Sequence, residues 1–208
     1  MIAVIDYGMG NMGAIINMLR KLGAEAMATS EPEVVRRAEK LILPGVGAFD
    51  MGIKNLLALG LTDVLREEVV EKGKLVLGIC LGMQLFTRRS EEGELPGLGW
   101  VDAETVRFRF GEEHRKLKIP HMGWNVVTVK KQSPLFPRGG DEMRFYFVHS
   151  YHVVCGSSSD VLAVTHYGDE FVAALLHRNI IGVQFHPEKS HHFGLEFLKQ
   201  FLELPPLC

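Results

Sequence analysis

Short apolar runs alternate with amphipathic stretches through the first half of the chain. IAVID at 2–6 is continuous enough for a buried strand, and the stretch 10–23 after it sets Met12, Ile15, Ile16 and Leu19 at the three- and four-residue spacing of a helix face. Gly23 stops that helix. A weaker strand at 24–29 leads to Ser30 and Glu33, whose spacing predicts a capping box for a helix over 31–39. KLILPG at 40–45 predicts a third strand, 50–72 a helical stretch broken near Gly60, and KLVLGI at 74–79 a fourth strand running into a helix, LGMQLFTRRS. Such alternation predicts an α/β fold with a central, mostly parallel sheet and helices on both faces. Beyond Gly99 the pattern becomes every-other-residue, as in WNVVTVK, RFYFVHSYHVV, VLAVTHY and IIGVQF. That predicts an antiparallel extension of the sheet, followed by an amphipathic helix at 193–203. In open sheets of this class, sites form in the crevice at the carboxyl ends of the strands.

Composition removes several alternatives. The 208 residues, 47% hydrophobic, are enough for one domain spanning 1–208, with no linker or repeat to divide it. Lys and Arg total 23 against 25 Asp and Glu, a formal charge of −2 without runs of one sign, so neither nucleic acid nor a membrane surface is expected as a partner. The N-terminus has no basic segment before its apolar run, which Asp6 interrupts, so it does not read as a signal peptide. No apolar stretch approaches the roughly 18 residues of a membrane span. Cys80, Cys155 and Cys208 are odd in number and widely spaced, which argues against a disulfide framework or a thiolate metal site. The expectation is a cytoplasmic protein with reduced thiols and no metal or cofactor.

Candidate chemistry lies at three strand ends. In LVLGICLGMQLF (75–86), Cys80 falls between the fourth strand and its helix, with Gly78 and Gly82 two positions away on either side. A cysteine in an apolar run is ordinarily a small hydrophobe. On a tight strand-to-helix turn, however, small neighbours let the side chain project above the sheet, and a helix N-terminus favours thiolate below the reference pKa of roughly 8.5. The Leu81 N–H is placed to donate to a developing oxyanion. A thiolate that attacks an acyl carbon requires a proton relay, and GVQFHPEKS (182–190) offers one. Pro187 biases His186 toward an extended conformation, so that Glu188 can meet its imidazole and orient it. In LPGVGAF (43–49), Gly45 and Gly47 leave the backbone at Val46 free to turn an N–H toward a ligand, completing an oxyanion hole with Leu81.

Together these segments resemble the class I, triad-type glutamine amidotransferases. Gly78, Cys80, Gly82 and Gln84 match that family's G-x-C-x-G-x-Q elbow, and His186 to Glu188 its H-P-E relay. The resemblance implies a flavodoxin-like fold and attack of Cys80 on the side-chain amide of glutamine, giving ammonia and a thioester that is then hydrolysed. It also implies that Gln84 lies along the bound glutamine, in a pocket to which Gly45, Gly47, His149, Ser150 and Tyr151 contribute. DYGMGN (6–11), PGVGAFD (44–50), PHMGWN (120–125) and YFVHSYH (146–152) further resemble the HisH subfamily, the glutaminase subunits of imidazole glycerol phosphate synthase. What this implies is a heterodimer with a separate (β/α)8-barrel cyclase, HisF, that receives the ammonia, with Asn11, Trp124 and Lys189 as partner-facing candidates. Glutaminase subunits of the anthranilate- or aminodeoxychorismate-synthase type are the alternative, although they more usually carry PGP where this chain has Pro44-Gly45-Val46-Gly47.

Two readings from other classes stand beside this one. Gly8, Gly10 and Gly13 satisfy the dinucleotide fingerprint G-x-G-x-x-G, with Glu25 as the ribose acid of an oxidoreductase, but Glu25 falls near the start of the second strand where the fingerprint requires its end. A noncatalytic module on the same fold has no use for Cys80, His186 and Glu188 at strand ends. The histidines at 149, 152, 191 and 192 lack metal-site spacing.

Overall fold

A computed structural model describes residues 1–136 and 142–205, so Cys208 lies outside the described residues. In chain order its elements begin β1 (Ile2–Ile5), α1 (Met12–Lys21), β2 (Ala26–Thr29), α2 (Pro32–Arg37), β3 (Lys40–Gly45), α3 (Phe49–Ala58), α4 (Leu61–Arg66), β4 (Leu75–Cys80) and α5 (Leu81–Leu85). Then come β5 (Ala103–Arg107), β6 (His121–Val126), β7 (Thr128–Val129), β8 (Arg144–His149), β9 (Tyr151–Cys155), β10 (Val161–Tyr167), β11 (Asp169–His177), β12 (Ile180–Val183) and α6 (His191–Glu203).

The central sheet runs β2-β1-β3-β4-β12-β11-β10-β7. Its first five strands are parallel, and β11, β10 and β7 continue it antiparallel, as the change of pattern along the sequence predicts. Two antiparallel ribbons, β5-β9 and β6-β8, stand beside it. The stretch RFYFVHSYHVV, continuous in its alternation, divides at Ser150 between these ribbons. Near-continuous apolar runs such as β4, buried at every residue, reflect a sheet covered on both faces. One face carries α1 and α6 over Ile15, Leu19, Phe197 and Phe201; the other carries α3, α4 and α5 over Ile53, Leu56, Leu65 and Leu85. Lys40 fastens the end of α6 to β3, its Nζ donating to the carbonyls of Phe201 and Leu204 at 3.0 and 2.7 Å. Those are the orphan carbonyls of a helix C-terminus, where a cation is favoured. Among the described residues no helix is long and apolar enough to cross a membrane.

Two sequence expectations change. The Ser30–Glu33 capping box does not form; α2 starts at Pro32 behind Glu31, without a side-chain cap, and Thr29 Oγ1 accepts the Glu31 N–H at 3.0 Å. Starting at Pro32 makes Glu33 the second helical residue, out of reach of a box based on Ser30. The helix after Cys80, predicted through Ser90, ends at Leu85. Its last carbonyls are taken by a returning segment, with Leu98 N donating to Leu85 O and both Trp100 N and Val101 N to Phe86 O.

Candidate active site

The carboxyl ends of β1, β3, β4 and β12 converge on Cys80. This residue closes β4 with φ +53° and ψ −107°, a left-handed conformation that a non-glycine residue adopts at a cost of about 1–3 kcal/mol. Strain at the candidate nucleophile itself was not visible in the sequence, where the flanking glycines looked like the turn residues. Neither has positive φ. Their role is close approach: a Cβ on Gly82 would lie 1.8 Å from the Leu43 carbonyl oxygen, and one on Gly78 would lie 2.4 Å from Phe86 Cε2. The glycines seat α5 against β3 and β4, and that packing holds Cys80 at the turn.

His186 follows β12 and is fixed by its own backbone. Its N–H donates to Tyr146 O at 2.9 Å, and its carbonyl accepts from Ser190 Oγ, which in turn accepts the Tyr146 N–H. Pro187–Lys189 form a turn of 3-10 helix in place of the extended segment predicted, and this turn brings Glu188 back to the ring. His186 Nδ1 lies 2.7 Å from Glu188 Oε1, both side chains being at most 4% exposed. A carboxylate accepts, so Nδ1 carries the proton that binds Glu188, and Nε2 is the ring nitrogen this bond leaves over. Among the described residues His186 Nε2 has no hydrogen-bond partner. Burial disfavours the charged ring, but a negative charge at Cys80 and the contact with Glu188 outweigh it and push the His186 pKa up to about 10. The sulfur itself meets Gln184 Nε2 at 3.6 Å and Val148 O at 4.0 Å.

Beside the sulfur lies a cavity of about 350 Å³, lined by Val46, Gly47, Cys80, Leu81, Gln84, Glu92, Pro120, Val148, His149, Ser150 and Tyr151. The substrate and oxyanion candidates therefore come together here, with one exception. Gly45 is not in the lining; it backs the wall, where a Cβ would meet the Tyr7 hydroxyl at 2.2 Å. Gly47, at φ +118°, has the backbone freedom predicted for the oxyanion loop. Sequence reasoning missed Glu92, a carboxylate in the lining whose pKa burial raises, and Gln184 and Tyr7, both buried beside the site. The available signal was polarity inside an apolar strand end, as at Gln184 in IIGVQF.

His149 lines the cavity but is committed elsewhere. Its Nδ1 lies 2.7 Å from Tyr151 O, a carbonyl that can only accept, so its Nε2 accepts from His121 Nδ1 at 3.1 Å, and His121 Nε2 from Asn125 Nδ2 at 3.3 Å. Both rings are neutral in that arrangement. Burial lowers the His121 pKa to about 4 and that of His149 well below its usual value. Groups depressed from about 6.5 in the unfolded chain stabilise the fold above that pH and lose this contribution as pH falls through the folded value. The unfolding free energy from urea titration is expected to drop between about pH 6.5 and 4, by a change on the order of a few kcal/mol, and less in His121→Asn. A flat profile in the wild type would contradict the neutral pair.

Of the partner-facing candidates, Trp124 is 46% exposed and stacks on His191 with ring centroids 5.3 Å apart, while Lys189 Nζ lies 5.7 Å from the Tyr146 ring, which Trp124 meets edge-on. Asn11 caps α1, its side chain accepting the Ala14 N–H at 3.2 Å. The dinucleotide reading fails on geometry: Glu25 immediately precedes β2, parallel to β1, and so lies at the opposite end of the sheet from Gly8 and Gly10.

The sequence model of the family described as Glutamine amidotransferase class-I matches residues 3–204. The subunit HisH 2 of imidazole glycerol phosphate synthase from Methanococcus maripaludis is 51% identical over 203 residues, covering 98% of this chain and 99% of that protein. Its Pseudomonas aeruginosa namesake is 50% identical over 204 residues, covering 98% of this chain and all of that protein. Among solved structures, a crystal structure of a glutamine amidotransferase superposes with a TM-score of 0.72 at 22% identity, over 95% of this chain and 97% of that one. The structure of PurLQS from Thermotoga maritima superposes with a TM-score of 0.70 at 19% identity, over 97% of this chain and 96% of that one.

Proposed function

This chain belongs to the class-I glutamine amidotransferases, and we propose that it is the glutaminase subunit of an imidazole glycerol phosphate synthase, with Cys80 as nucleophile, His186 as general acid and base, and Glu188 as the group orienting His186. The observation that carries the reading of the site is the buried 2.7 Å bond between His186 and Glu188, which leaves Nε2 buried and unpartnered on a ring that the charge of Cys80 reaches, while Cys80 itself lines the cavity. Two relatives at about half identity over nearly the full length carry HisH names, which sets this assignment above the anthranilate- and aminodeoxychorismate-type alternative.

In this reading the Cys80 thiolate attacks the side-chain amide carbon of glutamine. The oxygen takes up negative charge between the N–H groups of Val46 and Leu81. His186 gives its proton to the amide nitrogen, the C–N bond breaks, and ammonia leaves a γ-glutamyl thioester. Water then attacks the thioester, His186 accepts its proton, and glutamate and the thiolate are released. Gln84, Ser150 and Tyr151 hold the substrate, and the Glu92 carboxylate suits its α-ammonium group.

The subunit names of the relatives imply a partner subunit. The partner we propose is HisF, the (β/α)8-barrel cyclase, in the cytoplasm, with Trp124 and Lys189 facing it. Exposed apolar groups, Val46 (45%) in the cavity lining, Met122 (62%) paired with the lining residue Val148, and Trp124 (46%) further along the same strand, fit a surface that another protein covers. Co-purification with such a barrel, followed by assay of glutamate release, tests the assignment. Hydrolysis is expected with the partner and its nucleotide ligand and nearly none from the chain alone. Full activity without a partner would contradict the HisH assignment.

A further inference from the structure

We propose that Gln184 is a further catalytic residue of this site, its side-chain amide acting as a fixed hydrogen-bond donor that holds the charge of the Cys80 sulfur. The proposal rests on the reading of Cys80 as nucleophile. Gln184 follows β12, is fully buried, and donates its backbone N–H to Ala173 O at 2.9 Å. A buried amide side chain is retained only where its polar atoms are paired. Here its Nε2 faces Cys80 Sγ at 3.6 Å and its Oε1 accepts from Gln84 Nε2 at 3.1 Å.

The direction of this chain is determined. Gln84 Nε2 also lies 3.0 Å from Tyr151 O, and a carbonyl can only accept, so the nitrogen end of Gln84 faces both Tyr151 and Gln184. That places the oxygen of Gln184 toward Gln84 and its nitrogen toward the sulfur. Reversing either amide would set two acceptors, or two donors, face to face.

A thiolate is a far better acceptor than a thiol, and a donor to the charged form favours that form. Val148 O, 4.0 Å from Sγ, can attract only an S–H, so the two neutral neighbours of the sulfur favour opposite protonation states and the closer one favours the anion. The titratable groups around the sulfur are His186, backed by Glu188; Tyr7 beyond β1, behind Gly45; and His149 and Glu92 in the cavity lining. Tyr7 and His149 are neutral in their buried settings and a carboxylate at Glu92 opposes negative charge on the sulfur, which leaves His186 and Gln184 to hold it. Gln84 lines the cavity and Gln184 does not, so a ligand resting on Gln84 acts on the sulfur through one intervening side chain.

Alkylation of Cys80 by iodoacetamide, followed across pH by peptide mass spectrometry on the full chain without glutamine, reads the thiolate directly. Gln184→Met, which has similar length and no donor, is expected to raise the midpoint by about one pH unit, and so to slow alkylation about tenfold below both midpoints. Gln84→Met leaves Gln184 in place but releases its amide, and a smaller shift in the same direction is expected. A midpoint that stays put or falls in Gln184→Met overturns the proposal; should that variant not fold, an unchanged midpoint in Gln84→Met does so. Failure here is separate from failure of the triad, which would show as glutamine hydrolysis persisting in Cys80→Ala.

Discussion

With alanine in place of Cys80, glutamine hydrolysis in the presence of the proposed barrel partner is expected to fall by about 10⁴-fold or more. Without the sulfur no thioester forms, and water must attack an unactivated amide. His186→Ala is expected to cost about as much, because the ring supplies the proton that lets ammonia leave and removes one from the attacking water. The double variant should be scarcely worse than either single one, since residues that act as a unit lose their effect together. Glu188→Gln keeps an acceptor near Nδ1 and loses only its charge, so its loss in kcat/KM is expected to be roughly 10- to 100-fold smaller than that of Cys80→Ala. Strict additivity of the Cys80 and His186 effects in kcat/KM would contradict a shared step.

Gly82→Ala is expected to destabilise the fold by about 3 kcal/mol or more, as urea unfolding would measure. The added methyl would sit 1.8 Å from the carbonyl oxygen of Leu43 and 2.8 Å from its carbon. Leu43 pairs with Gly78 in the middle of the sheet, so neither the strand nor α5 can yield without breaking the ladder. Gly60→Ala is the control. Its Cβ would meet nothing within 4 Å, yet its φ is +65°, so it carries the conformational cost alone, about 1 kcal/mol. Equal losses in the two variants would show that the contact with Leu43 relaxes and that close packing at Gly82 is not what holds α5. The same displacement of α5 would move Leu81 and Gln84, and glutaminase activity should fall in any Gly82→Ala protein that still folds.

What could be read from the sequence divides along physical lines. Apolar runs and their periods are local, and β1, β3, β10 and the break at Gly60 stand where the pattern puts them. The contact between His186 and Glu188 was legible because Pro187 constrains the backbone between them, although it is made through a 3-10 turn and not an extended segment. Properties set by distant chain were not legible. The length of α5 depends on residues 98–101 claiming its carbonyls, and the division of 144–154 at Ser150 depends on two ribbons with the same alternation. The left-handed φ of Cys80 is imposed by packing around Gly78 and Gly82. Gln184 carries no motif signal of its own; its polarity in an apolar strand end marks it in the sequence, and the distance to the sulfur gives it a role.

Acid-quenching the wild-type complex during turnover and mapping the nucleophile peptide by mass spectrometry tests most directly whether Cys80 carries the reaction. The predicted result is a γ-glutamyl adduct on Cys80 that accumulates while glutamine is present, disappears when it is exhausted and is absent from Cys80→Ala. Steady release of glutamate with an unmodified Cys80 at every time point, and continued release in Cys80→Ala, would contradict it.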